Sequence, residues 1–178
     1  AFQARRAVAD EKVVVDFGLH PMVPSNALEV DSISELRRLA AEGATSWKFF
    51  MAYRGMMVDD ATLIAGFRAA AEEGVLPMVH AENGHLVQDA TDRLVDAGMV
   101  EEHHHLAAHT HTSEQEAVHR AIAIAESVGS ALFVVHVSSR YAAAEIRQAR
   151  ARAVPVHGET CPQYLRAACE GYEGRGHE

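Results

Sequence analysis

One lysine and two histidines stand at the points where a parallel α/β fold delivers chemistry. Lys48 lies inside the apolar run Ser46-Trp47-Lys48-Phe49-Phe50, His80 ends Leu76-Pro77-Met78-Val79-His80, and His136 ends Leu132-Phe133-Val134-Val135-His136. An amine flanked by Trp47, Phe49 and Phe50 is expensive to bury in its charged form. Burial lowers its pKa, and a neutral amine is a nucleophile. Such an amine can take up carbon dioxide as a carbamate, an anionic oxygen ligand able to bridge two metal ions. The other reading is an ammonium that snorkels to the rim or pairs with a carboxylate, and residue physics alone leaves both open. A single histidine after an apolar run is more often packed or hydrogen-bonded than a ligand. Two histidines and a lysine at equivalent places in three successive units are much harder to explain as packing.

Five short runs read as strands: the three above, Val13-Val14-Val15-Asp16-Phe17, and Val154-Pro155-Val156-His157. All are apolar on both faces, the pattern of buried parallel strands. Helical patterns lie between them. Ser32 opens one that ends before Gly43, and Asp59 opens one closed by Gly74. A third runs from about Gly84 to Asp96. A fourth is expected to start at a capping box, Ser113-Glu114-Gln115-Glu116, and to run to Val128-Gly129. A fifth covers roughly Tyr141 to Arg150.

Strand and helix alternate at the spacing of βα units, so the fold class is α/β with a parallel sheet. A closed barrel and an open doubly wound sheet both fit this alternation. No G-x-G-x-x-G follows a strand, which removes the usual support for a dinucleotide fold. A (β/α)8 TIM barrel takes about 250 residues, so five strands in this length read as a partial barrel, about strands 3 to 7 with their helices. No linker, low-complexity stretch or repeat beyond the alternation is visible.

The 178 residues are 48% hydrophobic and 23% charged, ordinary values for a soluble globular chain with a real core. The net charge of −9 argues against nucleic acid and anionic membranes as partners, since both reward a basic face. No apolar run nears the ~20 residues of a membrane span, and the start lacks the apolar stretch of a secretory signal. Cys161 and Cys169 give no disulfide framework, so a reducing cytoplasm is the expected compartment.

Four segments carry a family resemblance. Ser46-Trp47-Lys48-Phe49-Phe50-Met51-Ala52-Tyr53 resembles the carboxylated-lysine strand of the dihydropyrimidinase/hydantoinase family of metal-dependent amidohydrolases. Val79-His80-Ala81-Glu82-Asn83-Gly84 resembles its next ligand strand, and Val134-Val135-His136-Val137-Ser138-Ser139 the one after. Gly158-Glu159-Thr160-Cys161-Pro162-Gln163-Tyr164-Leu165 resembles its seventh-strand signature. Order and spacing match from about residue 12 to residue 165. The resemblance implies that residues 1–165 are a central barrel segment and that residues 166–178 are a divergent or loose tail.

By position, the resemblance implies that carbamylated Lys48 bridges two zinc ions, with manganese or cobalt as substitutes. His80 and His136 would ligate the more exposed metal, and Tyr53 would hydrogen-bond the substrate carbonyl and the oxyanion formed on attack. Glu82, Asn83 and Glu159 read as supporting or turn residues. The implied reaction is hydrolysis of a cyclic amide or imide, such as a dihydropyrimidine or hydantoin ring, by a metal-held hydroxide. The implied assembly is a homo-oligomer, a tetramer by family analogy. An allantoinase- or dihydroorotase-like hydrolase is the near alternative. A non-catalytic assembly protein that has lost metal is the distant one, and retention of Lys48, His80 and His136 together argues against it.

The family pattern also needs a His-x-His pair on the first barrel strand and an aspartate on the eighth, and neither is in this chain, so alone it is expected to have no substantial activity. His109-Thr110-His111 mimics the pair. It follows Glu101-Glu102-His103-His104-His105 and precedes a helix, where the family has an Arg-Pro type segment. These histidines are expected to be a solvated or gate-lining loop, with adventitious metal binding conceivable. His20 receives no role, and His157 is expected to pack.

Overall fold

The computed structural model describes residues 2–28 and 31–167 of the chain. Its helices are α1 (Phe2–Asp10), α2 (Ser32–Ala41), α3 (Asp60–Glu73), α4 (Gly84–Asp96), the single turn α5 (His105–Ala108), α6 (His111–Val128) and α7 (Arg140–Ala151). Its strands are β1 (Ser46–Phe50), β2 (Leu76–His80), β3 (Leu132–Val134) and β4 (Val156–Gly158). Short 3-10 turns cover Glu102–His104 and Pro162–Leu165. The cysteine at 169 and most of the expected tail lie outside the described residues.

The four strands form one parallel sheet in the order β1-β2-β3-β4. Right-handed crossovers between successive parallel neighbours place the connecting helices on one face of the sheet. On that face Trp47, Phe49, Val79, Leu132, Val134 and Val156 are essentially sealed from solvent, packed with residues of α3, α6 and α7 in a single core. The alternate residues, Lys48, Met78 and Phe133, point to the other face and are only half buried. The sheet thus has a helix-covered face and a face that carries the lysine. This division follows from the two-residue period of a strand.

Local signals set most boundaries. Asp59 caps α3 by accepting from the Thr62 N–H at 2.8 Å, and Gly74, at φ 67°, ends it in the left-handed turn that costs glycine least. Asn83 caps α4 by accepting from the His85 and Leu86 N–H groups. Ser139 caps α7 through the Tyr141 N–H.

Two expectations fail. Val13–Phe17 is not a strand: Val14 and Val15 are 96% and 74% exposed. An apolar run becomes a strand only where a neighbour can accept its ladder. Here the place beside β1 is taken by residues 21–23 instead. The Lys48 N–H donates to the Pro21 carbonyl at 2.8 Å, and the Val23 N–H to the Lys48 carbonyl at 2.9 Å, a single parallel bridge between Met22 and Lys48. Prolines 21 and 24 lack the donors to extend it. The second failure is the start of α6. Thr110, three residues before the expected cap, accepts from the Ser113 N–H through its hydroxyl at 3.2 Å and opens the helix at His111. Ser113 and Glu114 are buried inside the structure instead.

The core around β1 is tight. A Cβ placed on Gly66 of α3 would lie 2.5 Å from the ring of Phe49, which is itself sealed and set edge-on against Phe67 at 5.3 Å. The substitution Gly66→Ala is expected to destabilise the chain by about 1–3 kcal/mol through overpacking. Urea unfolding followed by circular dichroism measures this, and an unchanged midpoint would show that the core yields where this packing says it cannot.

Candidate metal centre

β1 sends Lys48 to the face opposite Trp47 and Phe49. Its Nζ lies 4.3 Å from the centroid of the Phe50 ring. Among the described residues this buried nitrogen has no hydrogen-bond partner. Burial pulls its pKa down from 10.5 to about 8, with the Glu159 carboxylate opposing weakly from across the rim. At neutral pH a substantial minority of this amine is therefore uncharged, compared with a vanishing fraction for a surface lysine.

Register carries the neighbouring strand to the same place. Phe50 pairs with His80 across β1 and β2, and the His80 ring stacks on Phe50 with centroids 5.7 Å apart. His80 is nearly buried. Its Nδ1 stands 2.9 Å from Nε2 of His136, and its Nε2 stands 2.9 Å from the Glu82 carboxylate. His136 follows β3, held by the Val135 N–H donating to the Val79 carbonyl, and adopts φ 41°. Histidine is one of the few non-glycine residues that visit this left-handed region, at a cost that surrounding structure must offset.

Glu82 fixes the chemistry of the pair. A carboxylate only accepts, so the His80 proton that faces it sits on Nε2, and the lone pair of Nδ1 is turned toward His136. Burial would raise the Glu82 pKa. Hydrogen bonds from His109 and His80, and attraction to those imidazoles, outweigh it and hold the group near about 2. Burial, then the proximity of His80 and Lys48, pushes His136 below its ordinary value, which keeps its imidazole neutral. Two imidazole nitrogens that meet at 2.9 Å need a proton or a cation between them. Together with a buried, partnerless amine on the same face, they are the donor chemistry of a divalent-metal site that takes nitrogen and carboxylate-type oxygen.

Tyr53 completes the rim. It lies in the loop after β1, at φ 71°, with its ring 4.8 Å from that of His80. The Met56 and Met57 N–H groups both donate to its carbonyl, closing the turn. Its backbone neighbourhood is pinned from α4: the Gly84 N–H donates to the Met51 carbonyl, and a Cβ on Gly84 would lie 2.8 Å from Ala52 Cα. Burial and the nearby Glu82 charge raise the phenol pKa, so the hydroxyl keeps its proton and can donate it.

All four expected site residues thus meet at one end of the sheet. The histidines expected in a loop divide. His109 is not solvated: its Nδ1 donates to Glu82 at 2.8 Å, the same carboxylate that holds His80. His111 is the first residue of α6 and turns to Tyr141, with ring centroids 6.1 Å apart. His157 is exposed rather than packed, because β4 is the last strand of the sheet and its side chain faces the uncovered side. His20 contacts the Ser46 hydroxyl. Glu114 is the buried anchor that sequence reading passed over. Its carboxylate accepts from the N–H and hydroxyl of Ser138, both at 2.8 Å, and so holds the loop after His136. The available signal was phase: 114, 117, 118 and 121 share one face of α6, and all are buried.

The comparisons with known proteins return hydantoinases, dihydropyrimidinases and an allantoinase. The chain is 39% identical over 163 residues to the D-hydantoinase of Streptomyces coelicolor, which covers 91% of this chain and 34% of that protein. It is 37% identical over 161 residues to the dihydropyrimidinase of Rattus norvegicus, covering 89% of this chain and 31% of the relative. A solved crystal structure of a D-hydantoinase superposes with a TM-score of 0.91 at 37% identity, over 98% of this chain and 38% of that one. The chain therefore spans about a third of the length of the curated relatives it matches. No family model matches it.

The amine's displaced pKa fixes a pH dependence. Its folded value of about 8 lies below the unfolded 10.5, so between these the unfolded chain holds the extra proton and stability rises with pH. Below about 8 the full penalty of burying the ammonium is present. In metal-free, carbonate-free buffer, Lys48→Met is expected to be more stable than the parent at pH 7 and to lose that rise. Urea unfolding of both chains from pH 7 to pH 10 measures it, and parallel curves would mean that the amine is solvated.

Proposed function

We infer that this chain belongs to the hydantoinase and dihydropyrimidinase family and supplies half of the metal centre of a cyclic amidohydrolase. The reaction is the hydrolytic opening of a cyclic amide or imide ring of the hydantoin or dihydropyrimidine class. The observation that carries the reading is the buried Lys48 amine, without a partner, on the same face and at the same end of the sheet as the facing His80 and His136 nitrogens. Residues 1–165 are read as a segment of a (β/α)8 barrel. A sequential parallel strand order with a single helix-covered face supports this over a doubly wound sheet, whose helices cover both faces. Among the described residues, no helix is long and apolar enough to cross a membrane.

The residues have separable tasks. Neutral Lys48 adds to carbon dioxide through its nitrogen and releases one proton, becoming a carbamate whose two oxygens are anionic ligands. Carbamylated Lys48, His80 and His136 would hold divalent zinc, which when bound supplies a nucleophile at neutral pH and polarises the scissile carbonyl. Glu82 keeps the His80 ring in one tautomer and one orientation, and His109 steadies Glu82 from the other side. Tyr53 keeps its phenolic proton and donates a hydrogen bond to the ring carbonyl, which strengthens as that oxygen gains charge.

The test is a graft. Replacing the matching third of a D-hydantoinase with this chain is expected to give a protein that opens hydantoin and dihydrouracil. Within the graft, Lys48→Ala is expected to remove measurable turnover, and Tyr53→Phe to lower kcat by about 10²–10³-fold, the usual loss for one oxyanion donor. A graft that folds and binds zinc but opens no ring would sink the reading. With 13C-bicarbonate, a carbamate carbon resonance is expected in this chain and should be absent from Lys48→Ala.

A further inference from the structure

The run Glu101-Glu102-His103-His104-His105 takes no part in the centre described above. Its geometry is nevertheless selective. Residues 102–104 form a 3-10 turn. Three residues per turn set positions i and i+3 over one another, so the Glu101 carboxylate stands above the His104 ring, with Oε2 and Nε2 3.1 Å apart. The His103 ring lies beside that of His104, with centroids 3.9 Å apart. One ligand atom from each of Glu101, His103 and His104 lies within 4.8 Å of the other two. The third histidine of the run goes elsewhere: the His105 ring packs on His109 at 4.1 Å, where burial lowers its pKa.

We propose that Glu101, His103 and His104 form a second divalent transition-metal site, open to solvent and separate from the Lys48 centre. Two imidazole nitrogens and one carboxylate oxygen are a borderline donor set. It suits zinc, copper or nickel and serves magnesium or calcium poorly, since those ions ask for oxygen ligands. Zinc ligands at about 2.0–2.2 Å from the ion stand roughly 3.4 Å apart in a tetrahedron, so the Glu101–His104 pair is already near ligand spacing and a small turn of His103 closes the triangle. All three donors come from four consecutive residues, so little chain entropy opposes closure. Glu101 and His103 are exposed, which leaves a coordination position for water or for a small anionic ligand. The ion would tie down the turn that leads into α5, and α5 is capped by His109, the residue that holds Glu82.

The competing description is a flexible histidine run that gathers metal through any two of its three imidazoles. The two make different forecasts for His105. Zinc titration calorimetry on the intact chain, with His103→Asn, His104→Asn, His105→Asn and Glu101→Gln beside it, separates them. His103→Asn and His104→Asn are expected to lose one zinc equivalent, Glu101→Gln to weaken that equivalent about tenfold or more, and His105→Asn to retain it. The same equivalent should survive in His136→Asn, which marks it as independent of the buried centre. These side chains are at or near the surface, and circular dichroism on each variant checks that the fold is kept. If His105→Asn loses as much zinc as His103→Asn, or if no variant loses an equivalent, the site does not exist.

Discussion

An amine taken out of water without a hydrogen-bond partner is a costly thing to build, and the rest of this structure is arranged around that cost. β1 must alternate, and its alternate residues Trp47 and Phe49 are committed to the helical layer, where Phe49 meets Phe67 and leaves no room for a Cβ on Gly66. The strand therefore has no choice about Lys48, which is driven to the opposite face between Phe50 and the neighbouring strand. Packing on one side of the sheet creates reactivity on the other. The resulting fall in pKa to about 8 links a hydrophobic core to an amine that loses its proton far more readily than a surface lysine.

Around that amine the polar groups are ordered by one carboxylate. Glu82 receives hydrogen bonds from His80 and from His109, so the last residue of β2 and a residue 29 positions later are held to a common point. Its charge also faces Tyr53, whose proton it helps to retain. The loop after His136 is held separately by buried Glu114, reached from α6. His80 is thus backed by one carboxylate and the loop after His136 by another, which gives both a fixed orientation.

The strand and helix order was legible because it rests on local patterns. Apolar runs of five, Asp59 and Asn83 as caps, and Gly74 as a stop need only their own neighbours to act. Val13–Phe17 misled because a strand is a relation between two segments, and the partner place beside Lys48 was filled by residues 21–23. The start of α6 misled because Thr110 and Ser113 both offer a capping hydroxyl, and burial of Ser113 and Glu114 decided between them. Within the histidine-rich stretch His109 alone departs from the expected solvated loop, and for the same reason. Whether His109 is solvated depends on where Glu82 lies, and no spacing within residues 101–111 records that.

What the sequence determined unaided was the set of reactive types and their placement one per unit: Lys48, His80 and His136, each in or after a strand, whereas Tyr53 was singled out only through the family resemblance. Period and capping are properties of contiguous residues, so these could be read directly. What only the tertiary structure decided was convergence. Parallel register put Phe50 beside His80, strand order put β3 next to β2, and the left-handed backbone at His136 turned its ring to meet His80 at 2.9 Å. Distances between residues 32, 56 and 88 positions apart are set by the packing of sheet against helices, and that packing is a property of the whole chain.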